Sequence, residues 1–401
     1  MENTATGTAL PNDNAQKTVF SILFSIAFAH LLNDLLQAVI PAAYPILKDN
    51  YNLTFTQIGL ITFSYQMAAS LLQPFVGFYT DKNPKPYSQI IGMVFTFAGI
   101  VLLSYAASFP IILLSVVLVG IGSSIFHPES SRVSFLASGG KRGLAQSIFQ
   151  IGGNTGTAIG PLLIAWIVVP HGQEYIVYFA AIAVLAMAVL WRIARWYQIH
   201  LNLTAKKKPV IVMPDLSPTR VVVTVIILLV LIFSKYFYIA SLSSYFTFYL
   251  IEKFNVSVQD AQFYLFIFLA SVALGTLLGG PLGDKFGRKY VIWFSVLGVA
   301  PFALFLPYAD LFWTSVLSVI IGLLLASAFP AILVYAQELL PKKLGMVSGL
   351  FYGFAFGMGG LGSAILGNIA DHQGIMYVYD ICAYLPLIGV IAMFLPNLKK
   401  K

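Results

Sequence analysis

Asp34 stands inside the first long apolar run of the chain, and Lys235 stands inside the run that opens its second half. An ionised side chain in hydrocarbon is costly, and by default it marks a substrate, ion or proton pathway. His30, Asp34, Gln37 and Pro41 follow one another at spacings of four, three and four, which puts them on one helical face. A carboxylate beside an imidazole on such a face is a candidate proton carrier. The plainer reading is a structural acid satisfied by Asn33, His30 or a neighbouring helix. Lys235 shares a face with Tyr238, Leu242, Tyr245 and Tyr249. An ammonium beside phenol hydroxyls is suited to an anionic or aromatic substrate. The alternative is a lysine neutralised by a carboxylate such as Asp34 across the two halves.

Further polar groups lie on the apolar runs. In the stretch Phe126 to Arg132, Glu129 and Arg132 are three apart and can pair on a helix surface, beside His127. Proton handling or substrate gating and a structural ion pair both fit this group, which lies near the end of its run. Gln146, Gln150 and Asn154 repeat every four residues, as do Gly152, Gly156 and Gly160 on another side of the same helix. One face is polar, and the other lets a neighbour approach closely. Glycines recur at Gly275, Gly279 and Gly283 and from Gly345 to Gly357, where Tyr352 is a candidate cavity-lining residue.

The elements that position these residues are membrane helices. Hydrophobic residues make up 59% and charged residues 9% of the 401-residue chain, far from the roughly 25% charged of a water-soluble domain. Apolar runs long enough to span fall near 18–45, 54–79, 88–107, 110–135, 143–168 and 175–197, then near 219–248, 258–282, 289–308, 311–336, 345–369 and 377–396. The halves are copies. Gly77 and Asp81-Lys82 stand at the same separation from Gly280 and Asp284-Lys285, and Leu53 to Thr56 corresponds to Val256 to Gln259. Internal duplication in an apolar chain points to a transporter whose site lies between two rocking halves. The expected fold is therefore all-α: twelve transmembrane helices in two pseudo-symmetric six-helix bundles. They occupy 18–198 and 219–397, with a tail at 1–17, a linker at 199–218 and a tail at 398–401.

Charge sets the expected orientation. Of the 23 Lys and Arg, all but Lys48, Lys253 and Lys235 fall at or beside the face that carries both termini, which the positive-inside rule makes cytoplasmic. The net charge of +8 is thereby explained by topology rather than by nucleic acid. Lys206 to Lys208 could touch anionic lipid, although a plain linker explains them as well. The lone Cys382 excludes an internal disulfide. No cofactor site, metal-ligand cluster or nucleophile–base pair stands out, so an enzyme is not expected.

The loop Gly279 to Lys289, GGPLGDKFGRK, resembles the signature loop of the major facilitator superfamily. Its fainter copy, Val76 to Pro86, has Pro84 and Pro86 where the pattern has glycine and a basic residue. The resemblance implies the major facilitator fold and a gating role for Gly77, Asp81, Lys82, Gly280, Asp284, Lys285, Gly287 and Arg288. Asp81 and Asp284 are expected to bond a facing helix N-terminus. Gly153, Gly156, Gly160 and Pro161 resemble part of the glycine–proline motif of drug/proton antiporters, with Leu162 and Leu163 in place of its trailing glycines. AHLLNDLLQ (29–37), FHPESSRV (126–133), GLAQSIFQIGGN (143–154), FSKYFYIAS (233–241), VYAQELL (334–340) and FAFGMGGLG (354–362) resemble the bacterial fosmidomycin resistance protein family. That family implies export of fosmidomycin, a small phosphonate antibiotic, and of some other drugs, driven by inward proton flow, and the cation of Lys235 suits a phosphonate; a monomer in the bacterial inner membrane is expected. An importer of small organic anions and a non-transporting membrane receptor are the alternatives.

Overall fold

A computed structural model describes residues 18–204, 216–341 and 343–397, with only the backbone described at Thr204, Gly280 and Asp284. All regular structure among these residues is helical. The first half comprises α1 (Phe20–Ala42), α2 (Phe55–Lys82), α3 (Ser88–Ser104), α4 (Phe109–Ala137), α5 (Arg142–Leu163) and α6 (Ala180–Thr204). The second comprises α7 (Pro218–Ser244), α8 (Val258–Phe286), α9 (Arg288–Leu297, continued by Ala300–Phe305 and Leu306–Tyr308), α10 (Leu311–Ala326 and Ala328–Leu339), α11 (Leu344–Gln373) and α12 (Ile375–Cys382 with the tighter turns of Leu385–Phe394). Ten helices among the described residues are long and apolar enough to cross a membrane. Of the other two, α3 has 17 residues, and α2 carries Gln57, Gln66, Gln73, Asp81 and Lys82 among its apolar residues. The result is the expected all-α membrane fold.

The duplication is visible in the backbone. Thr54 and Ser257 cap the N-termini of α2 and α8 through their hydroxyls. Just before them, Asn52 and Asn255 close the short helices that continue α1 and α7, Tyr44–Tyr51 and Phe246–Phe254, in the left-handed conformation at φ 49° and 54°. The copies diverge at the signature loop. Gly287 joins α8 to α9 at φ 97°, a conformation closed to the corresponding Pro84, whose ring fixes φ near −65°. The first copy needs residues 83–87 to make the same reversal.

An apolar core is wrapped in an apolar surface, unlike that of a soluble protein, and holds a minority of buried polar groups. Phe24, Phe75, Trp166, Trp191, Phe294 and Phe312 are exposed, whereas Asn33, Gln73, His127, Glu129 and Lys235 are buried. Apolar side chains on the outside, with the costly polar ones kept from lipid, are what a hydrocarbon solvent selects. The halves meet along α2 with α11 and along α5 with α8. Glycine makes the first seam possible: a Cβ at Gly349 or Gly353 would sit 2.5 Å or 2.6 Å from the carbonyl oxygen of Gln73 or Ser70. Within the first half, Gly152, Gly156 and Gly160 lie against Ala27, Leu31 and Ala38 of α1. Their side of α5 is a packing face.

Candidate functional site

A cavity of about 220 Å³ lies between the halves. His30, Asp34, Gln37, His127, Gln150 and Asn154 line it from the first half, and Lys235 and Tyr352 from the second. Residues far apart in the chain are thus assembled around one space.

On the first-half wall, His30 Nε2 lies 3.1 Å from Asp34 Oδ2, and His127 Nε2 lies 3.6 Å from Asp34 Oδ1. Asn33 Nδ2 donates to Oδ1 of the same carboxylate at 2.9 Å. The tautomer of His30 follows from its other nitrogen: Nδ1 is 2.8 Å from the carbonyl oxygen of Phe149, which can only accept, so Nδ1 carries hydrogen. A neutral His30 therefore turns a lone pair toward Asp34, and the contact is attractive only when a further proton lies between them. His127 Nδ1 is likewise 3.1 Å from the carbonyl oxygen of Ser123. Donor atoms of His30, Asp34 and His127 lie within 4.8 Å of one another. Such a set could hold a metal ion, which sequence spacing did not disclose because His127 is on another helix. A shared proton is the simpler occupant, since His30 and Asp34 are already at hydrogen-bond distance.

Across the cavity, Lys235 is 2% exposed. Its ammonium faces the rings of Tyr236 at 5.6 Å and Phe329 at 5.5 Å. Asp34 and Lys235 face the same cavity, but they form no ion pair at salt-bridge distance. The amides of α5 reach the other half instead. Gln146 Nε2 donates to the Tyr352 hydroxyl at 2.9 Å, and that hydroxyl donates to Gln150 Oε1 at 2.7 Å. Asn154 Nδ2 donates to Thr276 Oγ1 at 2.5 Å.

Two expected substrate contacts lie elsewhere. Tyr238 is buried outside the cavity lining, and the Tyr245 hydroxyl donates to the Ser363 carbonyl at 2.6 Å at the seam with α2, beside Phe55 and Gly59. The cavity face of α7 runs instead through Tyr236, Ile239, Ala240, Ser243 and Ser244, about one residue, or 100°, around the helix. Tyr44, Thr62, Tyr65, Tyr236 and Phe329 are lining residues that sequence reading passed over. For Tyr236 the period of α7 was a usable signal. For Tyr65, whose hydroxyl donates to Gln37 Oε1, partner-helix register decides and sequence carries no sign of it.

Glu129 and Arg132 sit below the cavity, toward the face that carries both ends of the described chain, where Arg132 ties α4 to the end of α2. Arg132 binds Asp81 Oδ1 at 2.7 Å and donates to the backbone carbonyls of Gly77 and Thr80. Asp81 accepts from the backbone N–H groups of Gly345 at 3.2 Å and Met346 at 2.9 Å, at the start of α11. Glu129 lies 3.7 Å from Arg132. In the second copy of the loop, Arg288 pairs with Glu338 of α10. Lys82 and Lys285 cover the rings of Phe78 and Phe286. The surroundings expected for Gly280 and Asp284, and the linker lysines Lys206 to Lys208, lie outside what is described.

Residues 26–252 and 224–401 match the family described as the Major Facilitator Superfamily. Over 385 residues the chain is 59% identical to the "Fosmidomycin resistance protein" of Escherichia coli (strain K12), covering 96% of this chain and 95% of that one. The chain belongs to the Major Facilitator Superfamily and, within it, to the fosmidomycin resistance protein family. A second relative is the "Uncharacterized MFS-type transporter YfnC" of Bacillus subtilis (strain 168), at 46% identity over 96% of this chain and 94% of that one. Among solved structures, the human organic anion transporter MFSD10 (TETRAN) superposes with a TM-score of 0.74 at 14% identity, covering 94% of this chain and all of that one. FucP in its outward conformation gives 0.66 at 16% identity over 94% and 98%. At such identities these two speak for the fold alone. This major facilitator protein is a multi-pass membrane transporter, not an enzyme.

Proposed function

We propose that this transporter exports small phosphonate drugs of the fosmidomycin type from the bacterial cytoplasm in exchange for protons, by alternating access. The observation that carries the reading is the cavity between the halves. One wall offers Lys235, a buried cation with no carboxylate at salt-bridge distance among the described residues; the other offers Asp34, whose contact with His30 requires a proton. The phosphonate is held at Lys235 by charge-assisted hydrogen bonds between the rings of Tyr236 and Phe329. Gln37, Gln150, Asn154 and Tyr352 are oriented by neighbours that leave them on the cavity wall to position the remainder of the drug. Hydrogen-bond donors of the drug take the Asp34 oxygens and displace the shared proton toward the cytoplasm. When the cavity faces outward, reprotonation of Asp34 and His30 releases the drug.

Orientation follows from the lysines and arginines, which gather on the face with the Asp81–Arg132 closure and make it cytoplasmic. The working unit is a single chain, since both walls of the cavity come from one polypeptide. Inside-out vesicles test the whole reading. They are expected to accumulate fosmidomycin when their lumen is made acidic and to lose it when the gradient is collapsed. Accumulation only under the opposite gradient would identify an importer.

A further inference from the structure

The two antiparallel helices of the glycine seam cap each other. At the face with the chain ends, Asp81 near the C-terminus of α2 receives two backbone N–H groups from the start of α11. At the opposite face, Asp371 near the C-terminus of α11 receives two from the start of α2: Phe55 N at 3.0 Å and Thr56 N at 2.8 Å, with Thr56 Oγ1 donating at 2.6 Å.

The need for an outside cap differs at the two ends. The start of α2 is half-satisfied by its own capping box, in which Thr54 Oγ1 accepts from Gln57 N and Gln57 Oε1 accepts from Thr54 N. Phe55 and Thr56 are the donors this box leaves over, and the other half of the molecule supplies their acceptor. The start of α11 has no side-chain cap from its own N-cap residue, Lys343. Both contacts also place a carboxylate at the positive end of a helix dipole.

Each cap is backed by glycine. Gly77 and Gly345 lie against each other beside Asp81, while beside Asp371 a Cβ at Gly59 would sit 2.7 Å from the Ser363 carbonyl and one at Gly367 2.5 Å from the Phe55 carbonyl. Gln262 Nε2, on α8, donates to the Ala42 carbonyl at 3.1 Å as a second contact between the halves beyond the cavity.

We infer that Asp371 is the outer latch of the transporter: its carboxylate, seated on the N-terminus of α2, holds the extracellular end of the seam shut, and it must leave that seat each time the cavity opens outward. The inference rests on the proposed orientation and on alternating access, and it assigns Asp371 no part in binding drug or proton. Asp81 is the opposing latch, so the seam opens at one end while it stays fastened at the other.

The test is labelling of Ser243→Cys, on the cavity wall, in a Cys382→Ala background, with a bulky membrane-impermeant maleimide and no drug present. With Asp371→Ala, labelling of intact cells from outside is expected to accelerate by about tenfold, the population shift that follows from losing contacts of this strength. Labelling of inside-out vesicles should slow or stay unchanged. Asp81→Ala should produce the reverse pattern, and Asp371→Glu should stay near the parent rate because the longer carboxylate still reaches the helix end. An outside rate for Asp371→Ala equal to that of the parent, or acceleration from both sides alike, would overturn the latch. Because the readout involves no drug, a correct latch with no drug accumulation in vesicles would refute the proposed substrate and leave this inference standing.

Discussion

His30 and Asp34 are joined through a nitrogen that has no hydrogen to give unless one is added: Nδ1 is committed to the Phe149 carbonyl at 2.8 Å, and Nε2 meets the carboxylate at 3.1 Å. The pair is therefore a proton-binding unit rather than an ordinary hydrogen bond. It lines the same cavity as Lys235, which is the arrangement that the proposed exchange of drug for proton requires.

Asp34→Asn removes the proton acceptor and keeps the side-chain volume. Drug exchange across a membrane without a gradient should continue, while accumulation driven by one unit of pH should fall by about tenfold, the ratio that one coupled proton sustains. Comparison of counterflow with gradient-driven uptake in vesicles checks this. Full gradient-driven accumulation by the variant would remove Asp34 from the coupling scheme.

Lys235→Ala leaves the aromatic cage without its charge. Losing a charge-assisted hydrogen bond should weaken phosphonate binding by about 10- to 100-fold, with little effect on a neutral ligand of similar size. Isothermal titration with both ligands on purified protein decides the matter, and equal losses would count against Lys235 as the anion site.

Arg132→Gln strips the counter-charge from Glu129, which is 1% exposed. Breaking a buried pair from one side costs about 3–5 kcal/mol, so thermal unfolding in detergent should begin well below the parent temperature. Glu129→Gln combined with Arg132→Gln should recover most of that stability without restoring the Asp81 closure. A double variant no more stable than the single would show that Arg132 acts through Asp81 alone.

Gly156→Ala places a methyl group against the Leu31 carbonyl, and overpacking of this kind costs about 1–3 kcal/mol. Gly359→Ala is the control, because nothing among the described residues lies within 4 Å of its added Cβ. Melting temperatures should separate the two, and equal values would mean that α1 and α5 can move apart without penalty.

Much of this was legible in the sequence because hydrocarbon makes charge conspicuous. Asp34 and Lys235 stood out against apolar runs, and the periodicity of α5 separated its amides from its glycines. Helix boundaries were also legible where caps are strong, as at Thr54 and Ser257. What stayed hidden depends on rotation and on partners. The 3–4 spacing that joins Lys235 to Tyr238 and Tyr245 is real, yet Tyr238 is buried away from the cavity, Tyr245 sits at the seam beside Phe55 and Gly59, and α7 presents Tyr236 to the cavity. His127 joined Asp34 only through the crossing of α1 with α4. Asp371 stands at the end of an apolar run with no sequence sign of a partner, and only the fold shows that it meets the start of α2.

Charge and contact pull the coupling in opposite directions. An anion near Lys235 would by electrostatics alone favour a proton on the opposite wall, whereas a drug that occupies the Asp34 oxygens excludes that proton. Export driven by an inward proton gradient requires exclusion to win, and proton counting on drug binding shows which does. Purified protein in weakly buffered detergent solution should release protons when saturated with fosmidomycin, and Asp34→Asn should bind the drug with no release. Proton uptake by the parent protein, or release undiminished in Asp34→Asn, would contradict the exchange of drug for proton at this site.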